Sequence, residues 1–379
     1  DHMRPLTKLL LLIAAFTSSL YALAQGNTWT QKTNVGRLGR QVSIGFSIGT
    51  KGYIATGYNN GDYLNDFWEY DPTGNTWTQR ANFGGGPRIG AVGFSIGSKG
   101  YVGTGYGGYN DFWEYDPTAN TWTQKANVGG SGRSGAVGFS IGTKGYIGTG
   151  SDIFLNSLND FWEYDPTANT WTQKANVGGS GRSGAVGFSI GTKGYVGTGY
   201  ANSNSTNDFW EYNPNANTWT QKANFGGAAR GNAVGFSIDS KGYIGTGYDG
   251  IPYSDLWAYD PTGNVWTQKA NFGGGSRFEA VGFSIGSAGY LGTGTDGSGT
   301  WSDFWVYYPM ADSWTQEAHC GGLVKSGATG FSIGGKGYIG TGQDGSGAYT
   351  NDFWEYDPLV NVWTQKANFG GSARFGAAG

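Results

Sequence analysis

The sequence has few of the residue types on which most catalytic and metal sites depend. Among its 379 residues there is one cysteine, Cys320, and there are two histidines, His2 and His319. A lone cysteine excludes an internal disulfide, and a single imidazole after the first 24 residues cannot supply the ligands of a copper or catalytic zinc site. We therefore predict that the protein has no metal, no cofactor and no catalytic residue.

Charged residues are scarce as well. They make up 13% of the chain, and the net charge is −3. A nucleic-acid-binding protein needs a basic surface to meet phosphates, so we predict no nucleic-acid partner. No stretch beyond residue 24 approaches the ~20 apolar residues of a membrane span. We predict a monomeric protein without a membrane span.

The first 24 residues contain the longest apolar run. Arg4 and Lys8 precede or border an apolar run at 9–16, and small residues at 22–24 end the segment. A charged start, a short apolar middle and an A-x-A end are typical of a secretory signal peptide, here with cleavage before Gln25. We predict that residues 1–24 are a signal peptide and that the protein is secreted, to act in the extracellular space or at the cell surface.

Glycine and aromatic residues are abundant, and they recur with a regular period. There are 72 glycines, aromatic residues make up 16%, and the phrase W-T-Q returns at intervals of 45 to 49 residues. Such a period is typical of proteins in which each repeat is one structural unit. The tryptophans of the phrase are Trp29, Trp77, Trp122, Trp171, Trp219, Trp266, Trp314 and Trp363.

Each repeat contains four phrases in a constant order. Between residues 133 and 175 they are RSGAVGFSIG, KGYIGTG, NDFWEYDP and NTWTQKA, separated by turn-forming residues. β-Branched and aromatic residues favour strands, so the pattern predicts four-stranded antiparallel blades and an all-β β-propeller over residues 25–379. Small residues in the first phrase suit the narrow axis of such a ring, and tryptophans suit its wide rim. Seven complete blades are present, and eight would form if the natural chain continues through three strands that join a lone strand at 27–32.

The phrases resemble the kelch repeat over residues 27–379. An Arg stands before the first strand, Tyr-Asp-Pro ends the third and a Trp lies in the fourth, as at Arg133, 164–166 and Trp171. Thr149-Gly150 stands where the kelch pattern has a glycine doublet. The chain is thus similar to the secreted bacterial kelch propellers that are labelled as similar to the central domain of galactose oxidase. Because that oxidase holds copper with histidines and tyrosines, one tyrosine being joined to a cysteine, we predict that its chemistry is absent here.

The Glu and the Asp inside the aromatic phrase, as in Glu114 and Asp116, resemble the paired carboxylates of a glycosidase, but five near-equivalent glutamates would mean five active sites. Ala258 and Val306 replace the Glu of the aromatic phrase in two repeats, so we interpret its slot as an edge or partly exposed strand position. The Asp before that phrase recurs in all seven repeats, and we predict that it bonds to the backbone or to the next blade. Asp-Gly-Ser-Gly loops at 296–299 and 344–347 lack the ligand spacing of a calcium loop. The Glu residues of the slot are Glu69, Glu114, Glu163, Glu211 and Glu355.

A cation stands six residues before the Phe of the first strand in every repeat, and these cations should circle the mouth of the central channel. The resemblance implies that arginines there contact an acidic ligand, whereas pairing with a carboxylate of the same blade is the alternative. Glu279 and Asn232 replace a first-strand glycine and break the symmetry near the same mouth. The cations are Arg40, Arg88, Arg133, Arg182, Arg230, Arg277 and Lys325.

Only the loop between the second and third strands changes completely from repeat to repeat, so one face of the propeller is diversified. Its aromatic and short polar side chains suit glycans and protein surfaces alike. We predict a secreted, non-catalytic propeller that binds an extracellular glycan or protein through this face. The alternative is a carbohydrate-acting lyase, epimerase or hydrolase with its site at the channel mouth. The candidate ligand-binding residues are Tyr58, Tyr63, Tyr106, Tyr109, Tyr200, Tyr248, Tyr253, Trp301 and Tyr349, with Arg88, Arg133, Arg182, Arg230, Arg277 and Glu279.

Overall fold

The computed structural model describes residues 44–59, 62–71, 76–292, 294–299, 301, 303–316, 326–344, 346 and 348–366. Among these residues, no helix has the length and apolar character that a membrane span requires. Several predictions concern residues outside the described ranges, namely the signal peptide at 1–24, the strand at 27–32, Arg40, His319, Cys320 and Lys325.

The four phrases of each repeat form four antiparallel strands, as predicted, and the described chain contains seven such sheets. Blade 1 comprises Ile44–Ile48, Lys51–Ala55, Phe67–Asp71 and Thr76–Arg80, and blade 2 comprises Val92–Ile96, Lys99–Gly103, Phe112–Asp116 and Thr121–Lys125. Blade 3 comprises Val137–Ile141, Lys144–Gly148, Phe161–Asp165 and Thr170–Lys174, and blade 4 comprises Val186–Ile190, Lys193–Gly197, Phe209–Asn213 and Thr218–Gln221. Blade 5 comprises Val234–Ile238, Lys241–Gly245, Leu256–Asp260 and Val265–Lys269, and blade 6 comprises Val281–Ile285, Ala288–Gly292, Phe304–Tyr308 and Ser313–Gln316. Blade 7 comprises Thr329–Ile333, Lys336–Gly340, Phe353–Asp357 and Val362–Gln365. Short hairpins pair Tyr58–Asn59 with Asp62–Tyr63 and Tyr200–Ala201 with Asn204–Ser205.

Glycines in the inner strands let neighbouring blades approach closely. A Cβ at Gly145 in blade 3 would lie 2.5 Å from the ring of Phe94 in blade 2, which no real side chain tolerates. Gly52 of blade 1 meets Phe331 of blade 7 at the same 2.5 Å. Because the first and last sheets pack as any two neighbours do, the ring closes with seven blades. The eight-bladed alternative is therefore not the arrangement of the described sheets.

Aromatic side chains fill the wider space between blades. Phe161 of blade 3 stacks on Tyr146 at 5.4 Å between ring centroids and meets the edges of Tyr212 and Trp219 in blade 4, each at 4.9 Å. Burial of one such Phe contributes about 1.5–3 kcal/mol, and edge-on ring pairs add to it. The predicted gradient from small residues at the axis to large rings outside is confirmed.

In blades 2 to 6, the turn between the third and fourth strands joins the blade to the one before it. In blade 3, Asn169 adopts φ 52°, a left-handed conformation that Asn tolerates. Its side-chain oxygen accepts hydrogen bonds from the Tyr164 hydroxyl at 3.0 Å and from the backbone N–H of Ala126 in blade 2 at 2.9 Å. Trp171 then donates its indole N–H to the Ala126 carbonyl at 2.9 Å. The conspicuous phrase at 159–175 thus forms the seam between blades.

The Glu of the aromatic phrase is not at an edge, so that part of the interpretation was wrong, whereas a partly exposed position is confirmed for Glu114, Glu163 and Glu211. It lies on the third of four strands, where Glu163 is half-buried and Glu355 is buried. Glu163 accepts a hydrogen bond from the Tyr146 hydroxyl at 2.6 Å and pairs with Lys174 at 2.9 Å. The carboxylate thereby raises the pKa of Tyr146, after the larger effect of burial. This slot is a structural hydrogen-bonding position.

Candidate binding face

The variable loops and the arginine-bearing connections lie on one face. Isolated bridges pair the residue after the arginine with the first residue of the variable loop, as in Ser134 with Ser151 and Phe278 with Thr295. Antiparallel strands place the other two turns of each blade at the opposite end. The prediction that one face is uniform and the other diversified is confirmed by this topology. We call the diversified side the loop face.

Six of the variable loops begin and end on a constant frame, which we call the stem. In blade 3 the backbone N–H of Leu158 donates to the Gly150 carbonyl at 2.9 Å, and the same bond closes a loop of different length in blade 5, from Tyr253 to Gly247 at 3.0 Å. The next blade holds the stem too, because Gly150 N–H donates to the Arg182 carbonyl at 2.7 Å. The corresponding closing bonds in the other loops run from Leu64 to Gly57, Thr206 to Gly199, Trp301 to Gly294 and Thr350 to Gly342.

The five described arginines of the cation ring are buried beneath the stems. Arg133 forms a two-pronged pair with Asp160 at 2.6 Å for both nitrogen–oxygen contacts and also donates to the Thr149 and Gly129 carbonyls. Asp160 in turn accepts the indole N–H of Trp162 at 2.7 Å. The prediction that this Asp bonds to the next blade was wrong, because the side chains that bond to Asp160 belong to its own blade. Matching pairs join Arg88 to Asp111, Arg182 to Asp208, Arg230 to Asp255 and Arg277 to Asp303.

These pairs decide between the two interpretations of the cations. The side chains of Arg88, Arg133, Arg230 and Arg277 are 0% exposed and that of Arg182 is 1% exposed. Their charge is neutralised by an Asp of the same blade, as the alternative predicted. In this arrangement the five arginines are not available to an acidic ligand, and they serve as anchors for the loop stems.

In three blades an aromatic loop residue covers the buried guanidinium. The Arg230 carbon Cζ lies 3.9 Å from the ring centroid of Tyr253 and 5.0 Å from that of Phe225, so the cation sits between two rings. Such contacts contribute roughly 0.5–2 kcal/mol. Blades 3 and 4 have Val128 and Val177 in place of the phenylalanine, and non-aromatic stem residues. The same sandwich holds Arg88 between Phe83 and Tyr109, and Arg277 between Phe272 and Trp301.

The structure divides the predicted loop aromatics into two groups. Tyr63, Tyr106, Tyr109 and Trp301 are exposed, whereas the others that can be described are partly buried. Among the partly buried rings, the hydroxyl donates a hydrogen bond in two cases. Tyr200 donates to the Tyr248 carbonyl at 3.0 Å and Tyr253 donates to Asp249 at 2.8 Å. The side chain of Tyr58 lies outside the described residues, and Tyr349 is partly buried.

The most exposed apolar group of the loop face is not among the residues predicted from the sequence. Phe154 and Leu155 are 77% and 76% exposed, and Ile153 beside them is also exposed. Asp152 fixes this turn by accepting hydrogen bonds from the backbone N–H groups of Phe154 and Asn156, each at 2.9 Å. We call residues 153–155 the apolar tip. The signal was present in the sequence as three consecutive apolar residues inside an otherwise polar loop.

A ring of left-handed residues surrounds the channel mouth at the centre of the loop face. They are joined by backbone hydrogen bonds, such as Gly184 N–H to Gly135 O at 3.2 Å and Gly327 N–H to Glu279 O at 3.1 Å. Below the ring, alanine, valine and glycine line a cavity of about 280 Å³. The described ring members and their φ angles are Gly90 (62°), Gly135 (62°), Gly184 (60°), Asn232 (51°), Glu279 (53°) and Gly327 (57°).

Glu279 is the one acidic member of the described ring. Burial raises the pKa of its carboxyl from 4.5 to about 7. The structure thus places Glu279 and Asn232 at the channel mouth, where the sequence predicted them. Among the described residues, no group of three His, Cys, Asp or Glu side chains is arranged to hold a metal ion.

Comparisons with known proteins agree with this architecture. A family model described as the KLHDC2/KLHL20/DRC7 Kelch-repeats domain matches residues 131–276, and one described as the Kelch motif matches residues 47–84. A solved structure titled "Structure of YjhT" is similar to the chain with a TM-score of 0.61 and 17% sequence identity, covering 75% of this chain and 99% of that one. At that identity the likeness shows the fold alone. No curated protein matches the chain.

Proposed function

Since the chain is a kelch-repeat β-propeller, we propose that it is a secreted, non-catalytic module that binds an extracellular protein or glycan through its loop face. The observation that supports this proposal is the exposure of aromatic and apolar side chains on loops whose stems are rigidly held. Tyr106, Phe154 and Trp301 illustrate this, because all three are exposed and each lies on a loop fixed by backbone hydrogen bonds. Rigid apolar groups bind with little loss of conformational entropy.

The apolar tip favours a protein surface over a glycan. Aliphatic and phenyl side chains that project from a fixed turn suit a hydrophobic pocket, and such anchors dominate the energy of many protein interfaces. Glycan recognition relies more on flat rings flanked by polar groups, as at Tyr106 and Tyr109. Secretion, which follows from the segment at 1–24, is part of the proposal and would place the loop face toward extracellular partners.

The carbohydrate-acting enzyme remains a second candidate because of one observation. Glu279 lies at the channel mouth and has a pKa of about 7, which suits a general acid or base near neutral pH. However, the buried arginines that this alternative would use are paired with aspartates and face no open space. The test compares turnover of a sugar by the wild type with that of two variants. Loss of turnover in Glu279→Gln with turnover kept in Phe154→Ser would favour the enzyme over the binding module.

The test of the proposal uses arrays of extracellular proteins and of glycans, probed with the labelled propeller. A double variant, Tyr106→Ala with Phe154→Ser, alters the loop face without touching a buried arginine. Met310→Ser is the matched control, because Met310 is a fully exposed apolar residue in a turn on the opposite face. We expect the signals to be lost in the double variant and kept in the control, with all three proteins unfolding at similar temperatures. Equal signals for the three proteins would contradict the proposal, and the array that responds identifies the ligand class.

A further inference from the structure

Glu279 destabilises the fold in two independent ways. Its backbone has φ 53°, a conformation that costs a non-glycine residue roughly 1–2 kcal/mol, whereas Gly90, Gly135, Gly184 and Gly327 fill the equivalent position in four other blades. Its carboxyl is largely buried and has no hydrogen bond or ion pair with any residue that the structure describes. Strained and desolvated residues of this kind are typical of functional sites, where a ligand supplies the missing partner.

Aromatic rings border Glu279 along one sector of the channel mouth. Tyr248 packs on Phe278, the residue before Glu279, with 4.8 Å between ring centroids. Tyr200 reaches across from blade 4, and its ring covers Gly231 and the neighbourhood of Gly184. Its pKa is raised by burial and further by Tyr248, Asp249 and Glu279, so the carboxylate lies within electrostatic reach of the Tyr200 hydroxyl. Blade 3 has no aromatic rings in the corresponding places, which are occupied by Ser134 and Ser151.

From this juxtaposition we propose that the sector formed by Tyr200, Tyr248, Phe278 and Glu279 is a binding site for a protonated amine. A single carboxylate supplies one full negative charge, and the faces of aromatic rings attract organic cations. An anion would be repelled, and one carboxylate without further oxygen ligands does not form a calcium or magnesium site. The neighbouring Asp249 adds negative charge to the sector. The amine belongs to the ligand of the loop face, and in this respect the inference rests on the proposed function.

The test measures binding of small amines by isothermal titration calorimetry at pH 8, where the carboxylate is ionised. The probes are Nα-acetyl-lysine amide for a side-chain amine, norleucine amide for an α-amine, and glucosamine for an amino sugar. Nα-acetyl-norleucine amide and N-acetylglucosamine are their uncharged counterparts. We expect at least one amine to bind in the millimolar range, with its uncharged counterpart at least roughly tenfold weaker.

Two variants locate the site. Glu279→Gln keeps the shape of the side chain and the left-handed backbone at this position but removes the negative charge. It should weaken amine binding at least roughly tenfold without loss of stability. Tyr248→Leu removes one ring and should weaken binding less, whereas Met310→Ser on the opposite face should leave it unchanged. The proposal is overturned if no amine binds the wild type, or if Glu279→Gln binds as well as the wild type does. Because these probes need no loop ligand, such a failure leaves the array test of the proposed function unaffected.

Discussion

Glu279 makes the stability of the fold depend on pH in a predictable direction. Its pKa is about 7 in the folded protein against 4.5 ordinarily, so the folded state binds the proton more tightly than the unfolded chain. Below pH 4.5 both states are protonated and the group has no effect. Between pH 4.5 and 7 the unfolded chain ionises first and stability falls, and above pH 7 the loss is constant. Tyr200, the titratable group coupled to it, has a raised pKa and stays neutral throughout.

We therefore expect Glu279→Gln to increase the free energy of unfolding by about 1–3 kcal/mol at pH 8 and to leave it unchanged at pH 4. Urea unfolding of both proteins at the two pH values measures the difference. Glu279→Gly serves as a second variant, since it should also relieve the left-handed backbone, by roughly 1 kcal/mol at both pH values. An equal effect of the Gln variant at pH 4 and pH 8 would show that charge is not the cause.

Individual residues were the hardest level to predict from the sequence. The repeated Glu of the aromatic phrase looks tolerant of exchange, since Ala258 and Val306 replace it, and this tolerance predicted an edge or partly exposed position. The structure shows that it depends on two partners, Tyr and Lys, from the strands on either side. A linear pattern does not reveal such cross-strand partners, because they lie 11 or more residues away in the chain.

At the level of elements, we expect the buried arginine and its aspartate to be the part of blades 2 to 6 most sensitive to change. We expect Arg133→Met to destabilise the protein by about 3–5 kcal/mol, because it leaves the carboxylate of Asp160 largely buried and uncompensated. The double variant Arg133→Met with Asp160→Asn should recover part of that loss. Thermal and urea unfolding measure both.

Lys144→Met provides the control for this element, since Lys144 pairs with Asp165 at 2.5 Å but both side chains are about one-third exposed. A solvated pair of this kind contributes little to stability, because water and salt screen it. A loss for Arg133→Met as small as that of Lys144→Met would mean that the buried pair does not anchor the stem.

The strands and their order were predictable, because alternation, turn residues and the 45–49 residue period all agree. The burial of the arginines was not, although the recurring Asp of the third phrase is their partner in every described case. Pairing of each Arg with a carboxylate of its own blade was predicted, but the identity of that carboxylate became visible only when the third strand was placed beside the connection from the preceding blade. The variable loops were assigned to the correct face, and the loop aromatics remain predicted ligand contacts.

For the molecule as a whole, each seam between blades should support the entire ring. Asn169→Ala removes two hydrogen bonds at the seam between blades 2 and 3 and places Ala in a left-handed conformation. We expect a loss of about 2–4 kcal/mol, and a single transition in which tryptophan fluorescence and circular dichroism coincide.

Asn169→Asp is the matched variant, because Asp312 already occupies the equivalent position in blade 6 and accepts the corresponding bond from Ala270 at 3.0 Å. It should be nearly neutral. Two separate transitions in the Ala variant would show instead that blades unfold independently of the closed ring.

The stem bonds of the loop face have a consequence for how the protein changes over time. In the six blades with a described closing bond, the intervening loop ranges from five residues at 248–252 to seven at 151–157, while the bond keeps nearly the same length. Insertions and substitutions inside a loop therefore leave the strand register and the neighbouring blades intact. Seven such loops around one axis form a combinatorial surface, in which new binding specificities can be assembled from parts that vary one at a time.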